Sequence, residues 1–384
     1  MPHATDRPAN LLPGAMLGVF GSGQLGRMFA LAAHELGFRV HVFSPEADSP
    51  AGLIAEQETI ADYDDRRAVE EFARAVDVVT LEFENVPVVA LETAAAFVPV
   101  RPGPYALQMV QDRLREKEFL RDISVACAPF AAVDSLAEFR AAIEQVGLPA
   151  VLKTRRMGYD GKGQAAIHDS DDAEPAWRQV DAVPCVLEQF VDLRREVSVL
   201  IARGLDGARA YYGPIANEHS NHILDVSVLP APCGEATARQ AVDVANRIAD
   251  ALEVVGIVCI EFFETTGGEL LVNEIAPRPH NSGHLTIDAC ITSQFEQQVR
   301  AICGLPLGAT DPLRPAAMAN LLGDLWQAGE PAWHRALAMS GVRLHLYGKR
   351  DPRPGRKMGH LTALADSPTE AAALARAARN ALTS

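Results

Sequence analysis

"EFFETTGGELLVNE", Glu261 to Glu274, is a hairpin signal with a glutamate at each end. If Gly267 and Gly268 form the two central residues of the turn, Glu261 lies opposite Glu274. Their Cβ atoms then stand about 4.5–5.5 Å apart on one face of the ladder. Like charges so placed repel, and a divalent cation between them reverses the sign. Hard carboxylate ligands completed by phosphate oxygens are a common magnesium arrangement. The bland alternative, two solvent-facing carboxylates, sits badly with the apolar flanks Ile257–Ile260 and Leu270–Val272. Directly after comes "IAPRPHNSGH", residues 275–284. Arg278, His280, Asn281, Ser282 and His284 follow the hairpin at once, which reads as a cradle for a polar ligand.

A second cluster lies upstream in "VLKTRRMGYDGKGQAAI", residues 151–167. An apolar strand ends in Lys153, a tip carries Gly158, Gly161 and Gly163, and a second strand begins at Gln164. Backbone N–H groups beside Lys153, Arg155, Arg156 and Lys162 suit a loop that closes over phosphates. It is not a Walker A loop, because G-x-x-x-x-G-K-[ST] is absent and no helix follows.

Near the start, "GSGQLG" (21–26) matches G-x-G-x-x-G between the apolar run Met16–Phe20 and a helical stretch, Gln24–Leu36. A dinucleotide reader would carry Asp or Glu at the end of the next strand. Here that strand ends in Ser44, with Glu46 beyond a proline, so the loop alone is weak evidence for NAD. Continuing to Val40–Phe43, a helix near Arg66–Ala75 and Val78–Glu82, the pattern is a βαβαβ start with a parallel sheet. A helix bearing Asp112 to Leu120 then leads into a second region near residue 125. From Glu196 the chain is strand-rich, with a helix at Thr237–Leu252.

Composition bounds the answer. A chain of 384 residues suggests two or three domains. Charged residues make up 22% and hydrophobic residues 48%, an ordinary globular balance. The net charge of −15 argues against a general nucleic-acid binder. No run of 18 apolar residues argues for a membrane span. The six cysteines are scattered without a C-x-x-C pair, as in a reducing cytoplasm. The leader, residues 1–15, has no signal-peptide core and reads as flexible. A basic run, Arg343 to Lys357, can focus small anions.

The order glycine loop, GYDGKGQ, EQFV, paired-Glu hairpin, APRPHNSGH and RPGRKMGHL (353–361) closely resembles the ATP-grasp superfamily. Within it the chain is similar to the 5-(carboxyamino)imidazole ribonucleotide synthetases of purine biosynthesis. The resemblance covers nearly the whole chain. It implies a mixed α/β and α+β ATP-grasp fold: a Rossmann-like domain at 16–112, an ATP-grasp region at 113–308 with a lid at about 125–186, and a small C-terminal domain at 309–384. It also implies a cytoplasmic, homodimeric ligase that uses ATP, bicarbonate and Mg2+ or Mn2+ to carboxylate 5-aminoimidazole ribonucleotide through carboxyphosphate.

Site residues carry over from the same resemblance. Arg113 and Lys153 would meet phosphates, and Gly158–Gln164, with Tyr159, Asp160, Gly161, Lys162 and Gly163, would form the lid loop. Glu188, Gln189, Phe190 and Val191 would meet adenine, chiefly through backbone groups. Glu196 would hold the ribose and His219 the nucleotide site. Glu261 and Glu274 would ligate the metal with Asn273 alongside. Arg278 would stabilise carboxyphosphate, and Asp160 and Lys162 would assist catalysis. Gln24, Leu25, Glu82, Tyr159, His280, Asn281 and Ser282 would line the imidazole ribonucleotide, with Lys349, Arg356 and Lys357 on its phosphate. The rivals are a formate-dependent glycinamide ribonucleotide transformylase, an NAD-dependent oxidoreductase and a non-catalytic nucleotide sensor.

Overall fold

Strands buried on both faces read as unbroken apolar runs, and the first segment follows that rule. β1 (Met16–Phe20) and β4 (Val78–Leu81) are buried throughout. Between them lie α1 (Gln24–Glu35), β2 (Arg39–Ser44), β3 (Gln57–Ile60) and α2 (Arg66–Arg74). The computed structural model describes residues 10–158 and 161–383, and its first sheet is parallel, ordered β3-β2-β1-β4. Sequence reasoning missed β3, because "QETI" is a polar, largely exposed edge strand with little apolar surface to signal it. It also missed α3 (Val88–Ala95) and α4 (Pro104–Val110). α5 (Arg113–Asp122) begins where Asp112 caps it, accepting from the N–H groups of Leu114 and Arg115.

The region expected to form the lid has its own core. β5 (Phe130–Val133), α6 (Leu136–Val146), β6 (Ala150–Thr154), β7 (Gln164–Ile167), α7 (Ala173–Gln179) and β8 (Cys185–Gln189) form it, with strand order β5-β8-β6-β7. Phe139, Leu152, Ile167 and Leu187 pack together inside. As expected, β6 and β7 form a hairpin, with Lys153 opposite Gln164.

The largest layer combines β9 (Leu193–Arg203), β10 (Arg209–Ser220), β11 (Ile223–Leu229), β12 (Gly256–Thr265) and β13 (Leu270–Ala276), crossed by α8 (Glu235–Ala251). After α9 (Thr286–Ala289) and α10 (Gln294–Ile302) come β14 (Ala316–Leu322), α11 (Trp333–Leu337), β15 (Val342–Leu346), β16 (Lys357–Leu364) and α12 (Pro368–Asn380). These later strands continue the same sheet, in the order β13-β12-β9-β10-β11-β14-β16-β15. The chain beyond residue 309 is therefore hydrogen-bonded into one layer with the strands before it.

The expected flexible leader needs correction at its inner end. Leu11 is buried and donates its N–H to Cys303 O at 2.8 Å, and Gly14 donates to Gly37 O at 2.7 Å. Residues 1–9 lie outside the described residues. All six cysteines are free thiols, and among the described residues no helix is long and apolar enough to cross a membrane.

Candidate active site

β12 and β13 pair Glu261 with Glu274, as expected, but by a different route. The turn is longer than two residues: Thr265 N–H donates to Glu269 O, and Gly268 N–H to Thr265 O. Left alone, that turn would place Glu261 opposite Asn273. A bulge restores the pair, since Phe262 pairs with Val272 while Glu261 pairs with Glu274. Asn273 is the extra residue, and a bulge re-aims side chains locally. Adjacent Asn273 and Glu274 are both half-buried, breaking the strand's alternation, and both line one cleft with Glu261.

Burial, and then the charge of Glu274, push Glu261 up to about 7. Glu274 is 3.3 Å from Arg113 Nη1, and Glu261 is 3.3 Å from His280 Nε2. The buried Asn273 Oδ1 has no hydrogen-bond partner. Two facing carboxylates and an orphaned amide oxygen fit a hard divalent cation, which would relieve the repulsion and supply the missing partner. Among the described residues no three His, Cys, Asp or Glu side chains are grouped to hold a metal. Ligands from outside the chain would have to complete the shell.

The glycine loop holds a ligand of its own. Gly23 and Gly26 donate their N–H groups to the two oxygens of Glu82, the latter at 2.6 Å. A Cβ on Gly21 would stand 2.3 Å from Glu82 Cγ, and one on Gly23 2.8 Å from its Oε1. The helix N-terminus that attracts anions is therefore filled from within, and a dinucleotide pyrophosphate has no place there. Burial raises the Glu82 carboxyl above its usual range, opposed by the two loop N–H groups and by Lys349 and Arg278. Gly23→Ala should accordingly lower the melting temperature by several degrees, the scale of a displaced buried carboxylate. Gly267→Ala, whose Cβ would meet only Thr265 Oγ1 at 3.6 Å, is the control; equal melting of the two variants would contradict the clash.

Across the cleft a buried charge network braces the lid. Glu188, buried in the central strand β8, lies 3.0 Å from Lys153 Nζ and 3.3 Å from Lys117 Nζ. Burial alone would raise its carboxyl, but Lys117, Lys153 and Arg113 outweigh it and hold it at about 2. Lys117 also donates to Asn273 O at 3.1 Å, tying α5 to the bulge. Burial and then Glu274 push Glu116 up to about 8, and its Oε2 accepts the Ile275 N–H at 3.2 Å. Sequence reasoning missed Glu116 and Lys117. The signal was present: charges at 113, 116 and 117 share one helical face.

At the nucleotide end, Glu196 and His219 pair at 2.8 Å. Burial disfavours the imidazolium, but the Glu196 hydrogen bond and charge outweigh it, so His219 sits above its ordinary value. Near the hairpin's far end, Arg278 Nε donates to Glu84 Oε2, a partner 194 positions away that sequence reasoning also missed. Burial opposes ionisation of Glu84, yet Arg278 wins and holds it below the usual carboxylate range.

The cleft has a volume of about 480 Å³. It brings together Gln24 and Leu25 from the start of α1, Glu82 from just after β4, and Arg113 and Lys153 opposite. Gly161, Lys162 and Gln164 come from the lid hairpin, and Glu196 and His219 from β9 and β10. Arg278, His280, Asn281 and Lys357 complete it, and the buried amide of Asn281 has neither atom paired.

Other expected residues lie elsewhere. Gly158 lines a smaller neighbouring cavity, and Gly163 packs its backbone on Thr154. Glu188 points into the charge network described above. Gln189 and Phe190 direct their N–H groups to Pro129 O and Pro149 O, both at 2.9 Å, so those two cannot donate to a base. Val191 does not line the cleft. Ser282 is fully buried and bonds Ser198 Oγ at 2.8 Å and His280 Nδ1 at 3.0 Å, which makes it a support for His280 and not a wall of the cleft. Lys349 donates to Gln24 Oε1 and to Lys357 O at 2.7 Å. Arg356 donates to Asp351 O at 3.0 Å away from the lining. Tyr159 and Asp160 lie outside the described residues.

Comparison with known proteins follows the same three segments. Residues 15–111 match the ribonucleotide synthetase preATP-grasp domain, 118–295 the ATP-grasp domain, and 316–374 the phosphoribosylaminoimidazole carboxylase C-terminal domain. The chain is 42% identical over 352 residues to N5-carboxyaminoimidazole ribonucleotide synthase of Bacillus subtilis strain 168, covering 92% of each protein. It superposes on an ADP complex of N5-carboxyaminoimidazole ribonucleotide synthetase with TM-score 0.92 and 40% identity, over 96% of this chain and 97% of that one. An Aspergillus clavatus N5-carboxyaminoimidazole synthase, solved with ADP and 5-aminoimidazole ribonucleotide, superposes with TM-score 0.89 at 29% identity, over 97% and 99% of the two chains.

Proposed function

Because the chain belongs to the N5-carboxyaminoimidazole ribonucleotide synthase family, we propose the part that each residue of the cleft takes in that family's reaction. The protein is an ATP-dependent carbon–nitrogen ligase of purine biosynthesis with a mixed α/β ATP-grasp fold. It carboxylates 5-aminoimidazole ribonucleotide.

In the proposed course, a bicarbonate oxygen attacks the γ-phosphorus of ATP, the bond to the β-bridging oxygen breaks, and ADP leaves. The exocyclic amine then attacks the carboxyl carbon of carboxyphosphate. The C–O bond to phosphorus breaks, phosphate leaves with the electron pair, and the nitrogen gives up a proton. Such chemistry is mostly positioning and electrostatics. Arg113 and Lys153 contribute positive charge toward the ATP phosphates, with Lys162 on the lid side. Glu261, Glu274 and the Asn273 oxygen would hold Mg2+ or Mn2+, which neutralises developing phosphate charge when bound. The Glu196–His219 pair suits the ribose hydroxyls.

Arg278 meets the carboxyphosphate charge, its guanidinium already oriented by Glu84, so little reorganisation remains at the moment of reaction. On the imidazole ribonucleotide, Glu82, Gln24, Leu25, His280 and Asn281 contact the ring and sugar. Lys357 reaches its phosphate, with Lys349 and Arg356 beside it. The division at about residues 112 and 308, a homodimeric state and a cytoplasmic location are part of the same proposal.

One observation carries the reading: the Glu261–Glu274 pair and the Arg278–Glu84 pair face one cleft whose far wall is the Glu82-filled glycine loop. Phosphate release from ATP should require Mg2+ and bicarbonate, and rise strongly with 5-aminoimidazole ribonucleotide, the carbamate being identified as product. Formate with glycinamide ribonucleotide should not substitute. Equal turnover with that pair would replace the carboxylase reading by the transformylase.

A further inference from the structure

The turn between β10 and β11 holds two non-glycine residues in a backbone conformation that most side chains seldom take. Asn221 and His222 both lie in the left-handed region, at φ 50° and 64°. A two-residue hairpin of this kind favours Asn-Gly, because a side chain at positive φ crowds the backbone. Asn221 is the expected residue. His222 is not, and it keeps strain that a glycine would remove.

The side chain at that position meets the lid. A Cβ on Gly161 would stand 2.6, 2.7 and 2.8 Å from Cβ, Cγ and Cδ2 of His222, so the imidazole lies against bare glycine backbone. Gln164 Nε2 approaches His222 Nδ1 at 3.4 Å. Gly161, Gln164 and His222 all line the main cleft. Two elements from different sheets thus touch through one strained residue at the mouth of the site. Non-glycine residues held in sparsely populated backbone regions cluster where the strain serves function.

We infer that His222 is a positioning residue that seats the Gly161–Gln164 arm over the nucleotide end of the cleft and thereby keeps water from carboxyphosphate. The inference rests on the carboxylation reading above. Carboxyphosphate has two fates: the amine takes its carboxyl group, or water converts it to bicarbonate and phosphate. A seated arm favours the first by excluding solvent. His222 touches the arm and not the reacting atoms, so its loss should alter the division between the two fates more than the binding of the imidazole ribonucleotide.

The test measures ADP formed per carbamate at saturating bicarbonate and 5-aminoimidazole ribonucleotide, together with thermal melting. In His222→Gly the melting temperature should hold or rise, because glycine relieves the turn. The ratio of ADP to carbamate should rise about fivefold, the scale of one lost hydrogen bond and its packing, with KM for the imidazole ribonucleotide unchanged. A wild-type ratio in a folded variant overturns the inference. If His222→Gly fails to fold, His222→Ala, which removes the imidazole that meets Gln164 and Gly161 and keeps only Cβ, is read in the same way. Failure of the underlying reading is distinct: the wild type itself would then form no carbamate.

Discussion

Glu274→Gln should reduce ATP turnover by at least about a hundredfold while leaving the fold intact, a loss of roughly 2.7 kcal/mol or more in transition-state stabilisation. The variant is nearly isosteric, so packing along β13 is preserved. It loses the charge that faces Glu261 across the ladder, and with it a ligand for the cation. Stability should move little, because two opposed effects meet at this side chain. Glu261 is raised by burial and by Glu274, so neutralising Glu274 removes a repulsion, but it also takes away the carboxylate that pairs with Arg113 at 3.3 Å. A melting temperature close to wild type, beside near-complete inactivation, is the expected pair of results. Near-native turnover would return the two carboxylates to the status of a solvated face.

The second large effect is on stability. Lys117→Met should destabilise the protein by about 3–5 kcal/mol, the usual cost of removing one partner from a buried ion pair. Lys117 is 1% exposed and Glu188 3%, so water cannot replace the lost ammonium. Lys153 remains, but Asn273 O loses its donor as well. Denaturant midpoints measure the loss. Adding Glu188→Met should recover much of it, because a well-packed apolar pair can replace a buried ionic one. The pH profile supplies a further check. Glu188 is held near 2 in the folded protein, below the ordinary carboxylate value of about 4.3. Its contribution is therefore fully present above that ordinary value and is lost as pH falls toward 2. Without Lys117 that window should narrow from its acid end. Unchanged midpoints in Lys117→Met would mean the network carries no stability.

What could be read from the sequence was whatever repeats locally. The alternation of buried strands and helices from Met16 to Leu81 follows from apolar period and turn residues, and so does the β6–β7 hairpin. The Glu261–Glu274 pairing was legible too, although the turn assumed for it was wrong by one residue and the bulge at Asn273 compensated. What escaped was long-range charge pairing. Nothing in "EFEN" announces that Glu84 will meet Arg278, or that Glu82 will fill the glycine loop. Those partners are set by how separate elements dock. Glu188 is expected at the adenine hinge by resemblance, and nothing in its local motif announces that its carboxylate will pair with Lys117 and Lys153. α5 was located correctly, but its run of charges concealed a buried face. Polar β3 lacked the apolar residues by which strands are recognised.

The bulge at Asn273 also separates two properties that an ordinary ladder ties together. In a plain hairpin, changing how many side chains point at one spot means shifting the register, which turns every later residue over. Here Val272 and Glu274 keep the partners they would have if Asn273 were absent, because Phe262 and Glu261 are consecutive on the opposing strand. Removing Asn273 would join those neighbours into an uninterrupted ladder with the carboxylates still opposed, and only the extra oxygen gone. The strand can thus gain or lose a donor by a single insertion or deletion without disturbing the alignment of the pair. Ligand number and ligand alignment become separately adjustable on one strand.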